Sequence, residues 1–211
     1  MKQRFNSWRA EQFQKVWNWA SLAGCVAKSS KRAQTFKAFG DGSMMLFPIA
    51  ALYNQEYIEI GSGTMIGPYS SLSAGIVQGQ KMMSSPVVKI GDRCSIGRSS
   101  SIVAHWSVEI GDDVWTGPNV YITDQNHDYR DITQPIGAQA MPERAVSIGS
   151  NSWLGTNVVI LPGAQIGRHC TIGAGAVVTG VIPDYSVAVG NPARVVRRYD
   201  HELNEWVRAG E

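Results

Sequence analysis

From Ile148 onward the chain returns an aliphatic residue at every sixth position: Ile148, Leu154, Ile160, Ile166, Ile172 and Val178. A glycine follows Ile148, Ile166 and Ile172. The fifth residue of each unit is small or β-branched: Ser152, Val158, Ala164, Cys170, Ala176. A short fixed repeat constrains architecture more than any local propensity does. A period of six is neither the 3.6 of a helix nor a plain strand alternation. It fits a chain that turns a corner every six residues and points the aliphatic residue inward. Three such units close one triangular coil, and stacked coils make a parallel β-helix with a continuous apolar core.

The spacing recurs upstream. Ile60, Ile66 and Leu72 form one set, with Thr64 and Ser70 small and inward. Ile90, Ile96 and Ile102 form a second, with Cys94 and Ser100, and Ile110, Thr116 and Ile122 a third, with Val114 and Val120. The expected fold is therefore all-β. A β-sandwich of short strands would show no such register.

One domain with terminal extensions is expected: 1–56, an N-terminal helix and connection; 57–192, the solenoid domain with its excursion loop 123–145; 193–211, a basic tail and short helix. Residues 7–28 read as the first helix, with Phe13, Val16, Trp17, Ala20 and Ala23 on one face and Asn6 or Ser7 as its cap. Met44 to Tyr53 reads as a cover for the first coil, and Asp200 to Arg208 as a terminal helix with Leu203, Trp206 and Val207 on its apolar side. Two stretches leave the repeat, 76–89 and 123–145, and excursions from a rigid solenoid are where function concentrates.

Charge is uneven. The first forty residues hold Lys2, Arg4, Arg9, Lys15, Lys28, Lys31, Arg32 and Lys37 against Glu11 alone, within a net charge of +2. No apolar run approaches the roughly 20 residues that span a bilayer. Polar residues interrupt every apolar group at the start, which argues against a secretory signal. A cytoplasmic protein is expected. The Trp8, Trp17 and Trp19 segment, interleaved with Lys and Arg, has two readings: packing on the solenoid end or a neighbouring subunit, or peripheral contact of residues 1–35 with an anionic membrane. No nucleic-acid reader motif is present. Three cysteines, at 25, 94 and 170, match no zinc spacing and no disulfide framework.

Four segments together resemble the hexapeptide-repeat acyltransferases, in particular the sugar O-acetyltransferase branch that includes galactoside and maltose acetyltransferases. They are Gly117-Pro118-Asn119-Val120 leading to Thr123-Asp124-Gln125-Asn126-His127; Ser152 to Asn157 with Leu161-Pro162-Gly163; Gly173 to Thr179; and Pro183 to Val187 with Gly190 to Arg197. The resemblance is good over 90–198 and weak over 57–75, and residues 1–56 do not share it. It implies a left-handed winding, acetyl-CoA as cosubstrate, a sugar or glycoconjugate hydroxyl as acceptor, no metal, and a homotrimer with active sites between subunits.

The same resemblance places His127 as the catalytic base. A neutral imidazole, with an ordinary pKa near 6.5, can take a hydroxyl proton at neutral pH. Asn126 flanks it, and Asp124 or Asp128, as carboxylates do in triads, or a backbone carbonyl could fix its tautomer. Trp153, Gly155, Thr156, Ala174 and Thr179 match positions along the thioester and pantetheine arm. Arg194 and Arg197 match positions that hold the nucleotide phosphates, for which guanidinium forks are suited. His105, pushed out of register by the eight-residue step from Ile102 to Ile110, is expected to touch the acceptor with Asp128 and Tyr129. Competing readings are a non-catalytic scaffold and a metal-dependent hydratase of the same fold, which would need three histidine ligands.

Overall fold

The computed structural model describes residues 2–210, and the side chains of residues 8–210. A three-sided prism of stacked parallel strands forms its body. The first face runs through Ala38–Phe39, Ile58–Ile60, Val88–Ile90, Val108–Ile110, Val146–Ile148, Gln165–Ile166 and Val181–Ile182. The second runs through Met44–Met45, Met65–Ile66, Ser95–Ile96, Trp115–Thr116, Trp153–Leu154, Thr171–Ile172 and Ser186–Val189. The third runs through Ala51–Tyr53, Ser71–Ala74, Ser101–Ala104, Tyr121–Thr123, Val159–Ile160 and Val177–Val178.

Register explains the six-residue period. Ile60, Ile90, Ile110, Ile148, Ile166 and Ile182 stack partner on partner along the first face. Leu72, Ile102, Ile122, Ile160 and Val178 do so along the third. All of these are buried, and each stabilises the coil by roughly 1.5–3 kcal/mol relative to exposure. Thr116 interrupts the aliphatic row on the second face, and its hydroxyl accepts the Gly97 N–H at 2.8 Å, so the polar atom is satisfied.

Corners follow a rule. The residue before each small inward position is left-handed, as at Asp113, Asn119, Asn151 and Asn157, with φ between 57° and 62°. Asn and Asp tolerate that region better than most side chains. His169 occupies such a corner too, with φ 55°, as an exposed residue.

Three sequence expectations are corrected. The solenoid starts at Ala38, and Met44–Met45 and Ala51–Tyr53 are strands of its first coil instead of a cover. The N-terminal helix, α1, spans Lys2–Ala23 and stops at Gly24, where a Cβ would meet the Phe47 ring. It starts ahead of the expected cap, and the side chains of Asn6 and Ser7 lie outside the described residues. The terminal helix is replaced by a hairpin, Arg194–Asp200 with Glu205–Arg208, added antiparallel to Ser186–Val189. The Asp200 carboxylate accepts the Glu202 and Leu203 N–H groups at 2.8 and 3.0 Å, and Asn204 turns left-handed at φ 56°. Tyr199 and Trp206 then meet edge to face across the strands. A segment this short gains little as an isolated helix.

Candidate functional site

His127 is carried by the excursion between Thr123 and Val146. The chain leaves and returns as a two-stranded ribbon. Gln125 lies opposite Glu143, and the Asp128 N–H donates to the Ala140 carbonyl at 2.8 Å. Asn126 Oδ1 accepts the His127 backbone N–H at 3.0 Å, which fixes the turn that presents the imidazole. His127 is exposed in the single chain.

A hollow of about 430 Å³ gathers Asn126, His127, Asp128 and Tyr129 with Leu161, Pro162 and Thr179. A second, of about 260 Å³, is lined by Thr179, Gly180, Ala193 and Arg194. Thr179 belongs to both, so His127 and Arg194 lie along one continuous surface. Arg197 lies on the same strand as Arg194 but outside that lining.

Trp153, Gly155, Thr156 and Ala174 lie elsewhere, on the second face and the corner beyond it. There a Cβ on Gly117 would sit 2.6 Å from the Thr156 nitrogen, and one on Gly155 2.6 Å from the Ala174 nitrogen. The coils therefore stack main chain on main chain at this corner, and Trp153 stands outward beside Trp115. One chain does not bring these four residues to His127.

The two candidate orienting carboxylates are both engaged away from the imidazole. Asp124 is fully buried, and it accepts the backbone N–H groups of His105, Trp106 and Ser107 at 2.7–3.2 Å. Asp128 is held by Arg130, whose Nε lies 2.9 and 3.0 Å from its two oxygens. The Arg130 side chain, then backbone N–H groups of Arg130 and Tyr129, push the Asp128 pKa well below the usual carboxylate range. Among the described residues no side chain hydrogen-bonds the His127 imidazole.

His105 falls on the opposite side of the ribbon from Asp128 and Tyr129, so the three expected acceptor contacts do not form one wall. His105 is buried, with Nδ1 3.3 Å from Glu143 Oε1. It lines a hollow of about 650 Å³ with Gln80, Lys81, Met82, Met83, Trp106, Met141 and Glu143. That hollow is built from both excursions, 76–89 and 123–145. Glu143 and Arg144 were not singled out from sequence. The available signal was their place on the return leg of a histidine-bearing loop, where alternate residues face opposite sides.

Cys94 and Cys170 are buried, and desolvation pushes both thiols above their ordinary pKa. Among the described residues no three His, Cys, Asp or Glu are grouped to hold a metal. No helix there is long and apolar enough to cross a membrane.

The fold and site define a left-handed parallel β-helix with a histidine-bearing excursion. Residues 145–180 match the bacterial transferase hexapeptide (six repeats), and residues 87–124 the hexapeptide repeat of succinyl-transferase. The chain thus carries the hexapeptide repeats of bacterial transferases over these two stretches. It is 44% identical over 110 residues to the probable acetyltransferase Rv3034c of Mycobacterium tuberculosis, covering 52% of this chain and 37% of that protein. It is 35% identical over 130 residues to the putative lipopolysaccharide biosynthesis O-acetyl transferase WbbJ of Escherichia coli, covering 58% of this chain and 66% of that protein. The chain thus spans between about a third and two thirds of the length of these relatives.

Among solved structures, AntD, an N-acyltransferase from Bacillus cereus in complex with dTDP and 3-hydroxybutyryl-CoA, superposes with TM-score 0.67 at 18% identity, covering 84% of this chain and 91% of that one. A maltose O-acetyltransferase from Clostridium difficile 630 superposes with TM-score 0.53 at 24% identity, covering 83% and 80%. At these identities the likeness is one of fold.

Proposed function

We propose that the protein transfers an acetyl group from acetyl-CoA to a hydroxyl of a sugar or glycoconjugate, with His127 as general base. The carrying observation is the surface that runs from His127 through Thr179 to Arg194. It offers a base at one end and a guanidinium for phosphate at the other. In the reaction the imidazole takes the hydroxyl proton as the oxygen attacks the thioester carbonyl. The tetrahedral intermediate then expels the CoA sulfur, which leaves with the proton from His127. Buried Cys94 and Cys170, with raised thiol pKa values, are unsuited to a covalent acyl-enzyme.

The acceptor is assigned to the hollow of His127, where Asp128 and Tyr129 stand beside the base, and to the neighbouring subunit. AntD is an N-acyltransferase in complex with dTDP and 3-hydroxybutyryl-CoA, and the C. difficile protein is a maltose O-acetyltransferase, which fits this class.

A trimer is part of the proposal. Coil strands of the second and third faces, from Met44–Met45 to Ser186–Val189 and from Ala51–Tyr53 to Val177–Val178, carry no charged residue, whereas the first face carries Glu59, Lys89 and Glu109. Uncharged faces are suited to contact with neighbouring copies. Trp153, Gly155, Thr156 and Ala174 of one copy would then complete the site of His127 on another. Exposed Phe13, Val16, Trp17, Trp19 and Leu22 on α1, near Lys15, Lys28, Lys31 and Arg32, support peripheral contact with an anionic membrane. Identical recovery in flotation with and without anionic vesicles would remove that contact.

Calorimetric titration with acetyl-CoA and CoA tests the central reading. Saturable binding that weakens in the Arg194→Ala, Arg197→Ala double variant is expected. No binding at millimolar ligand by folded protein would leave a non-catalytic scaffold as the better account.

A further inference from the structure

Most of the ribbon bearing His127 has little to pack against: Tyr129, Ile132 and Ile136 are all exposed. Its position is therefore fixed at its root. There the buried Asp124 carboxylate takes the three N–H groups of the 105–107 corner. The Asp124 carbonyl accepts the Arg144 N–H at 2.7 Å. Glu143, opposite Gln125 in the ribbon, reaches back to His105. His105 is 8% exposed, and its Nε2 is buried with no hydrogen-bond partner. Nδ1 is thus the ring atom with a partner, and Glu143 supplies it.

Alternation along the return strand gives this contact its leverage. Met141 and Glu143 line the hollow of His105, while Pro142 and Arg144 line that of His127. A side-chain contact on one side of the ribbon therefore bears on where the base stands on the other. Misplacement of a reacting group by about 1 Å can cost roughly 10²-fold in rate.

We propose that Glu143, held by His105, is a positioning residue that sets the place of His127. The proposal rests on the acyl-transfer reading for its effect on rate, but not for its effect on the ribbon. Glu143 is at the surface, so its replacement leaves the coils intact.

The test compares hydrogen exchange and turnover in wild type, Glu143→Ala and Glu143→Gln. The reporting amides are Asp128 and Arg144, with Gly155, bonded to the Ile172 carbonyl, as the coil control. In Glu143→Ala both ribbon amides exchange roughly tenfold faster or more, while Gly155 is unchanged. Thiol release from acetyl-CoA, with methyl glycosides as acceptors, falls roughly tenfold in kcat while KM for acetyl-CoA stays within about twofold. Glu143→Gln, which keeps a carbonyl oxygen for Nδ1–H, recovers most of both.

Ribbon exchange as slow in Glu143→Ala as in wild type would overturn the proposal. So would a loosened ribbon with unchanged kcat in a protein whose His127→Ala variant is inactive. If His127→Ala is as active as wild type, the general-base reading fails instead, and the exchange data still decide the fastening.

Discussion

His127 and Arg194 are joined through Thr179, which lines the hollow of each. His127 comes from an excursion and Arg194 from the hairpin that closes the prism, so neither is near the other in sequence. Their alignment is a property of the coils between them.

Replacing His127 by Ala should lower turnover by roughly 10²–10⁴. The affinity for CoA, read by calorimetry, should change by less than about twofold, because in the proposed reaction the imidazole works on the acceptor proton. Turnover equal to wild type would take His127 out of the mechanism.

Arg194 lines the hollow that continues from Thr179, and Arg197 does not. Arg194→Ala should therefore raise KM for acetyl-CoA roughly tenfold, the scale of one lost charge-assisted hydrogen bond. Arg197→Ala should raise it less. Equal effects in steady-state kinetics would point to a diffuse basic tail.

Asp124→Asn should destabilise the fold by about 2–4 kcal/mol, since the amide group turns a donor toward N–H groups that need an acceptor. Chemical denaturation measures it, and a midpoint equal to wild type would show that the 105–107 corner holds without the carboxylate.

Asp128 should titrate well below the ordinary carboxylate value of about 3.9, because Arg130 favours its charged form. Its folded pKa is depressed, so its contribution to stability is present above about pH 3.9 and is lost as pH falls toward the folded value. Arg130→Ala should move the carboxyl pKa upward in an NMR titration, though the retained backbone N–H groups keep it below the ordinary value. No upward movement would mean that the backbone N–H groups of Tyr129 and Arg130 suffice.

Cys94 and Cys170 should resist alkylation at neutral pH until the chain unfolds, since burial both shields the sulfur and raises the thiol pKa. Cys25, partly exposed, should label first. Fast native labelling of Cys94 would contradict its inward position.

The coil register was legible because one physical demand, an aliphatic residue facing inward at each side of the prism, repeats in the sequence without interruption from Ile148 to Val178. The first coil was less legible: Met45 and Leu52 are its inward residues, but seven positions separate them and Pro48 intervenes. The terminal hairpin was read as a helix because Leu203, Trp206 and Val207 suit helical spacing as well as a turn followed by a strand. What decided the outcome was an open strand edge at Ser186–Val189, which only the assembled prism presents. Likewise His127 was legible from its motif, whereas Glu143 gained meaning only when the excursion folded back on itself.

The coils also act as a ruler. The ribbon of His127 departs from Tyr121–Thr123, and Thr179 follows Val177–Val178, two steps further along the same face. Each step between paired strands is about 4.8 Å, so these two points are spaced by about 10 Å along the axis. Gaining or losing one whole coil between them would change that span by a fixed increment while leaving every inward contact of the same kind. The distance from the root of the His127 ribbon to Thr179 is therefore counted in turns of the chain.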